Sequence, residues 1–234
     1  MNTEFDCVIL GDSWGEPPWR NPVAGRTYEG HITQLARSQG LRTVNLAAAG
    51  EGNQGSLVHA ERAFADGDCV PKQGGVCIWF HTEQLRDCAL TGTETAWELR
   101  SMIELQAEQD YEGINRFVQD WGLELFCVEA EAPVIASKAH LLPQHTHRIK
   151  NFRAWCCDRE DCLVSQWGCV LHLVRDGFFE QPTQITRELS DELLHAAHID
   201  TTVRQNSSVF PDGGHCGDRE YKKLWKYIRS RCGQ

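Results

Sequence analysis

Phe5-Asp6-Cys7-Val8-Ile9-Leu10-Gly11 decides the fold. Four apolar residues in succession, stopped by glycine, describe a strand buried on both faces, the habit of a parallel sheet. Working outward, a Pro-rich loop runs from Glu16 to Pro22. Tyr28, Ile32, Leu35 and Ala36 then mark the inner face of a helix that Gly40 terminates. Arg42 to Ala47 reads as a second strand and runs into a small-residue loop, Ala48 to Gly55. A helix from about Gln54 to Ala65 and a turn at Gly74-Gly75 lead to a third strand, Val76-Cys77-Ile78-Trp79-Phe80.

Thr91 and Glu94 have capping-box spacing at the head of a long helical stretch, in which Ile114, Phe117, Val118 and Trp121 recur at helical spacing before Gly122. Leu123 to Val128 is the fourth strand. Strands alternating with helices predict a parallel α/β sheet covered on both faces. From Glu131 to Asp200 the pattern weakens. A fifth strand is expected at Cys162-Leu163-Val164 or at Val170-Leu171-His172-Leu173, and a helix from Ile185 to Ile199. Tyr221, Leu224, Trp225 and Ile228 form an apolar stripe with Asp218 as N-cap, which predicts a C-terminal helix. No repeat or linker divides the chain, so residues 1–234 are read as one domain, with 131–200 a divergent region shaping the pocket.

The 234 residues are enough for a core without disulfides or metals. A net charge of −10 (23 basic, 33 acidic) repels phosphate backbones and anionic lipid, so neither nucleic acid nor membrane is the expected partner. No run of about 18 apolar residues is present to span a bilayer. The acidic start Met1 to Asp6 is unlike a secretory signal, and the expected location is the cytoplasm. Eleven cysteines fit that compartment, because Cys7, Cys77 and Cys127 fall inside strand-like runs where a reduced thiol acts as a small hydrophobe.

In an open parallel sheet, ligands bind beyond the carboxyl ends of the strands. There lie Gly11-Asp12-Ser13-Trp14, then Asn45 to Asn53 after strand two, then His81-Thr82-Glu83-Gln84. Phe210-Pro211-Asp212-Gly213-Gly214-His215 precedes the last helix. A serine hydroxyl becomes a nucleophile when an imidazole takes its proton, and a carboxylate holds that imidazole in one tautomer. Asp212 and His215 stand three apart with two glycines between, so the carboxylate can reach its own loop's histidine. Backbone amides of Ser13 and Gly50 can meet a developing oxyanion.

These blocks resemble the SGNH (GDSL-type) hydrolases. Gly11-Asp12-Ser13 matches that family's nucleophile block, Gly50 its oxyanion glycine and Asp212-x-x-His215 its acid–histidine pair. The resemblance implies a three-layer flavodoxin-like fold and serine-dependent hydrolysis of an O-acyl ester, acetyl in the first place, on a small molecule or carbohydrate, with no cofactor and no metal. It also leaves open an O-acyltransferase, or an inactive carbohydrate-binding or interaction protein. The chain departs from the family at its third block, where Gly-x-Asn-Asp is replaced by His81-Thr82-Glu83-Gln84. Losing one oxyanion donor costs roughly 2.7–4 kcal/mol. Gln84, Asn53 or Arg86 are the candidate replacements.

Asp12 is read as bonding loop amides, and Trp14 and Trp19 as stacking surfaces for a sugar ring or as packed aromatics. Cys156, Cys157, Cys162, Cys169 and His172 lack the paired spacing of zinc knuckles and are read as buried thiols. His140, His145 and His147 are read as solvated loop histidines.

Overall fold

The computed structural model describes residues 3–16, 19–20, 27–28, 30–65, 67, 69–89, 94, 96–130, 132, 134–150, 152 and 217–232. Five strands form one parallel sheet: β1 (Thr3–Gly11), β2 (Thr43–Asn45), β3 (Cys69–His81), β4 (Glu124–Glu129) and β5 (His147–Ile149). Their spatial order is β2-β1-β3-β4-β5, the flavodoxin-like order, and every neighbouring pair is parallel. The chain moves from β1 outward to β2 and then back across to β3. The carboxyl ends of β1 and β3 therefore flank the topological switch point.

Alternate residues of the central strands feed two cores. Cys7, Ile9, Ile78, Phe80, Phe126 and Val128 face helices α1 (His31–Ser38) and α4 (Asp218–Arg231). Val8, Leu10, Cys77, Trp79, Leu125 and Cys127 face α2 (Asn53–Phe64) and α3 (Ala96–Trp121). Both faces are thus covered, which makes the fold a three-layer α/β sandwich and explains why the strands read as unbroken apolar runs. Tyr221, Leu224, Trp225 and Ile228 are all buried, as their stripe predicts. Cys7, Cys77 and Cys127 are free and wholly buried; burial pushes the Cys7 thiol up to about 12.

Several local expectations are corrected. Gly74-Gly75 is not a turn ahead of the third strand but lies in an irregularity within β3: Phe5 pairs with Pro71 and Cys7 with Val76, so Lys72 to Gly75 bulge opposite Asp6. Tyr28 belongs to a two-residue antiparallel ladder with Trp19, not to α1. Helix α3 starts at Ala96, so Glu94 precedes it; Thr91 lies outside the described residues. Asp218 is the first residue of α4, whose N-cap is Gly217. The fifth strand is His147–Ile149; both stretches proposed for it, and Ile185 to Ile199, lie outside the described residues. Among the described residues no helix is long and apolar enough to cross a membrane.

Gly11 closes β1 at φ +118°, beside Phe80 of β3, and a Cβ there would run into the Phe80 carbonyl. Gly11→Ala is expected to lower unfolding free energy by about 2–4 kcal/mol, strain and overpacking together. Urea unfolding followed by tryptophan fluorescence reads this directly, and an unchanged midpoint would contradict it.

Candidate active site

Strand β1 delivers the chain into a tight turn, Asp12 to Gly15. The Gly15 amide donates to the Asp12 carbonyl at 3.0 Å, and the Trp14 amide to Asp12 Oδ1 at 3.1 Å. Asp12 is fully buried and holds a loop amide, as expected of it. Ser13 sits at the head of this turn, half-buried. Trp14 is fully buried, with its ring edge-on to Phe152 at 5.8 Å. It is a core side chain and presents no open ring face for a sugar, because the turn swings the indole under the loop. The side chain of Trp19 lies outside the described set.

Three further contacts hold the turn. Asn45, at the end of β2, donates from Nδ2 to the Gly15 carbonyl at 2.7 Å and to Thr33 Oγ1 at 2.6 Å. The Ala48 amide donates to the Gly11 carbonyl at 3.0 Å, which draws the second loop against the first. From α4, the Tyr221 hydroxyl donates to the Trp14 carbonyl at 2.5 Å. Asn45 was not singled out in the sequence, and Tyr221 reads there as a mere apolar position. A tyrosine in an apolar stripe carries a hydroxyl that burial obliges to find a partner, and that was the available signal.

Gly50 lies on the exposed lip of the second loop at φ +76°, with open space where a Cβ would stand. Backbone conformation, not crowding, accounts for glycine at this position.

The loop after β3 divides its polar groups between two sides. Asn53 is fully buried at the start of α2. Its Nδ2 donates to the Thr82 carbonyl (3.0 Å) and Asp110 Oδ2 (2.9 Å), and its Oδ1 accepts the Thr82 amide (3.1 Å). Gln84 Nε2 reaches His81 Nε2 at 2.7 Å and the Tyr111 hydroxyl at 3.4 Å. Both amide side chains expected as oxyanion donors therefore spend their N–H groups inside the protein, bracing the third loop against α3.

On the other side, Arg86 Nε donates to Glu83 Oε2 at 2.7 Å and Arg86 Nη1 lies 3.4 Å from Asp12 Oδ2. Asp87 caps α2 from outside, accepting the Gln54 amide at 3.0 Å and the Gly55 amide at 3.2 Å. At the end of β4, buried Glu129 accepts from Arg148 Nη2 at 2.6 Å.

His215 and Asp212 lie outside the described residues, as do Cys156, Cys157, Cys162, Cys169 and His172. Among the described residues, His31 Nδ1, at the head of α1, is 3.8 Å from Asp218 Oδ1 at the head of α4, and His59 Nδ1 is 3.7 Å from Glu51 Oε2 of the second loop. His140 and His145 are exposed, whereas His147 is a strand residue stacked on Phe126 at 4.6 Å and bonded to Glu124. A cleft lined by Asp6, Lys72, Gly74, Trp225 and Cys232 lies at the opposite end of the strands and has no part in this constellation. No protein-family model matches the chain, and no curated protein matches it.

Two buried groups beneath the site titrate abnormally and with opposite sign. Burial lowers His81 to about 4, so the ring stays neutral; its Nδ1 donates to the Ala132 carbonyl at 2.8 Å and its Nε2 accepts from Gln84. Burial raises Asp110 to about 7, the nearby Asp87 charge adding to it and the Gln106 and Asn53 amides opposing it. Between about pH 4 and 6.5 the unfolded chain binds the His81 proton more readily, so that contribution to stability is lost as pH falls. Asp110 acts the other way: its folded form holds a proton the unfolded chain has released, so its contribution is lost as pH rises through about 7. Asp110→Asn is therefore expected to gain stability relative to wild type progressively from pH 4.5 to 7.5. Urea midpoints across that range measure it, and a pH-independent difference would be the contrary result.

Proposed function

We propose that the chain is a cytoplasmic serine esterase of the SGNH (GDSL-type) class, hydrolysing an O-acyl group on a small molecule or carbohydrate. One observation carries this reading. A solvent-reachable serine sits in a turn braced from β2, α4 and the second and third loops, at the carboxyl end of β1 beside the switch point of a β2-β1-β3-β4-β5 sheet, where such folds bind ligands. A second supports it. The Tyr221–Trp14 bond ties the first turn of α4 to the serine turn, and α4's cap, Gly217, is two residues from His215. Two residues of extended chain span at most about 7 Å.

Ser13 Oγ attacks the ester carbonyl carbon while His215 takes the hydroxyl proton and Asp212 steadies the resulting imidazolium. The oxyanion is received by the backbone amides of Ser13 and Gly50. Collapse of the intermediate breaks the C–O bond, His215 delivers its proton to the departing alcohol, and an acyl-Ser13 remains. Water, deprotonated by His215, then attacks the acyl carbon; the bond to Ser13 Oγ breaks, His215 returns the proton to that oxygen, and the acid leaves. With Asn53 and Gln84 committed inside the protein, the oxyanion relies on main-chain donors. The reaction is accordingly slow beside one with a side-chain donor, by about 100- to 1000-fold. Reduced, buried Cys7, Cys77 and Cys127 accord with the cytoplasm.

The same commitment of Asn53 and Gln84 favours a second reading, a binding protein on this fold that has lost catalysis. Turnover of p-nitrophenyl acetate separates the two. The esterase reading expects Ser13→Ala to lower kcat/KM by about 1000-fold or more. Equal rates for both proteins would leave the binding reading in place.

A further inference from the structure

The third loop spends its Gln84 amide inside the protein, yet it is joined to the serine turn by a continuous polar chain. Thr82 Oγ1 donates to Glu83 Oε2 at 3.1 Å, and Arg86 Nε donates to that same oxygen at 2.7 Å, one helical turn on. Arg86 Nη1 then extends to Asp12 Oδ2 at 3.4 Å, while the other oxygen of Asp12 accepts the Trp14 amide. Asp12, Thr82 and Glu83 are all essentially inaccessible, whereas the Arg86 side chain keeps 22% of its surface exposed. A carboxylate buried without a countercharge is strongly unfavourable, so the guanidinium at 3.4 Å favours the Asp12 anion whose other oxygen grips the turn. A guanidinium suits this task because its fixed fork serves two carboxylates in two directions at once, which an ammonium cannot do with the same geometry.

We propose that Arg86 is a positioning residue for the nucleophile: held by Glu83, it clamps Asp12 and thereby sets the direction of the Ser13 hydroxyl and the Ser13 amide. This inference rests on the esterase reading and adds to it the way the altered third block contributes. It does so through the serine turn, without touching the substrate. A displacement of about 1 Å at the reacting atom costs on the order of 100-fold, which is the scale expected when the clamp is cut.

The test is the rate of covalent labelling of the full chain by a fluorophosphonate, compared in wild type, Ser13→Ala, Arg86→Gln and Arg86→Lys, with far-ultraviolet circular dichroism confirming the fold of each. Wild type is expected to label at Ser13. Arg86→Gln should label about 100-fold more slowly, and Arg86→Lys in between, with the loss in p-nitrophenyl acetate turnover falling on kcat while KM is retained. A merely structural arginine would lower the melting temperature but leave the folded protein's labelling rate and kcat unchanged. Arg86→Gln labelling as fast as wild type overturns the inference while sparing Ser13. If Arg86→Gln does not fold, Arg86→Lys decides, and a wild-type rate in that variant overturns the inference likewise. Labelling that is absent from wild type, or that survives Ser13→Ala, removes the esterase reading and this inference with it.

Discussion

A carboxylate buried at the end of β1 constrains the whole functional edge. Asp12 follows Gly11 where β1 passes closest to β3, and its two oxygens have separate duties, one on the Trp14 amide and one toward Arg86. Placing an anion there is costly. The surrounding structure offsets that cost with a cation from the third loop and an amide from the turn itself. Once Asp12 is held, Gly15 must close the turn and Trp14 must point inward, and Ser13 is left at the head of the turn.

Each loop at this edge is anchored by a different contact. Asn45 reaches from β2 to the Gly15 carbonyl, Tyr221 from α4 to the Trp14 carbonyl, and the Ala48 amide binds the second loop to Gly11. The third loop faces two ways. His81 and Gln84 turn toward Tyr111, and Asn53 clasps Thr82 and Asp110, while Glu83 and Arg86 turn toward Asp12. A residue type associated with oxyanion binding, an amide side chain near the switch point, is therefore present twice and used twice for bracing. Burial keeps His81 neutral, and the Gln84 amide suits that form, because a second proton on the ring would face its N–H.

The sheet was legible in the sequence because strands buried on both faces read as apolar runs, and β1, β3 and β4 are such runs. Strand β5 was not, since His147-Arg148-Ile149 is a three-residue edge strand whose first two positions carry polar partners, His147 on Glu124 and Arg148 on Glu129. The Gly74-Gly75 pair carries the composition of a turn, and nothing local distinguishes a turn from a bulge opposite Asp6. Trp14 and Asn53 show a similar limit at the site. Their types suit stacking and oxyanion donation, but burial and partner choice are set by residues such as Phe152 and Asp110, far away along the chain.

The account turns on one approach between parts of the chain about two hundred residues apart, the serine turn after β1 and the loop preceding α4. A crystal structure of the protein inactivated by a phosphonate measures it directly. The account predicts phosphorus bonded to Ser13 Oγ, a His215 ring nitrogen about 2.6–3.2 Å from that oxygen, and the phosphoryl oxygen facing the Ser13 and Gly50 amides. His215 on the far side of the sheet, or the adduct on another residue, would contradict it.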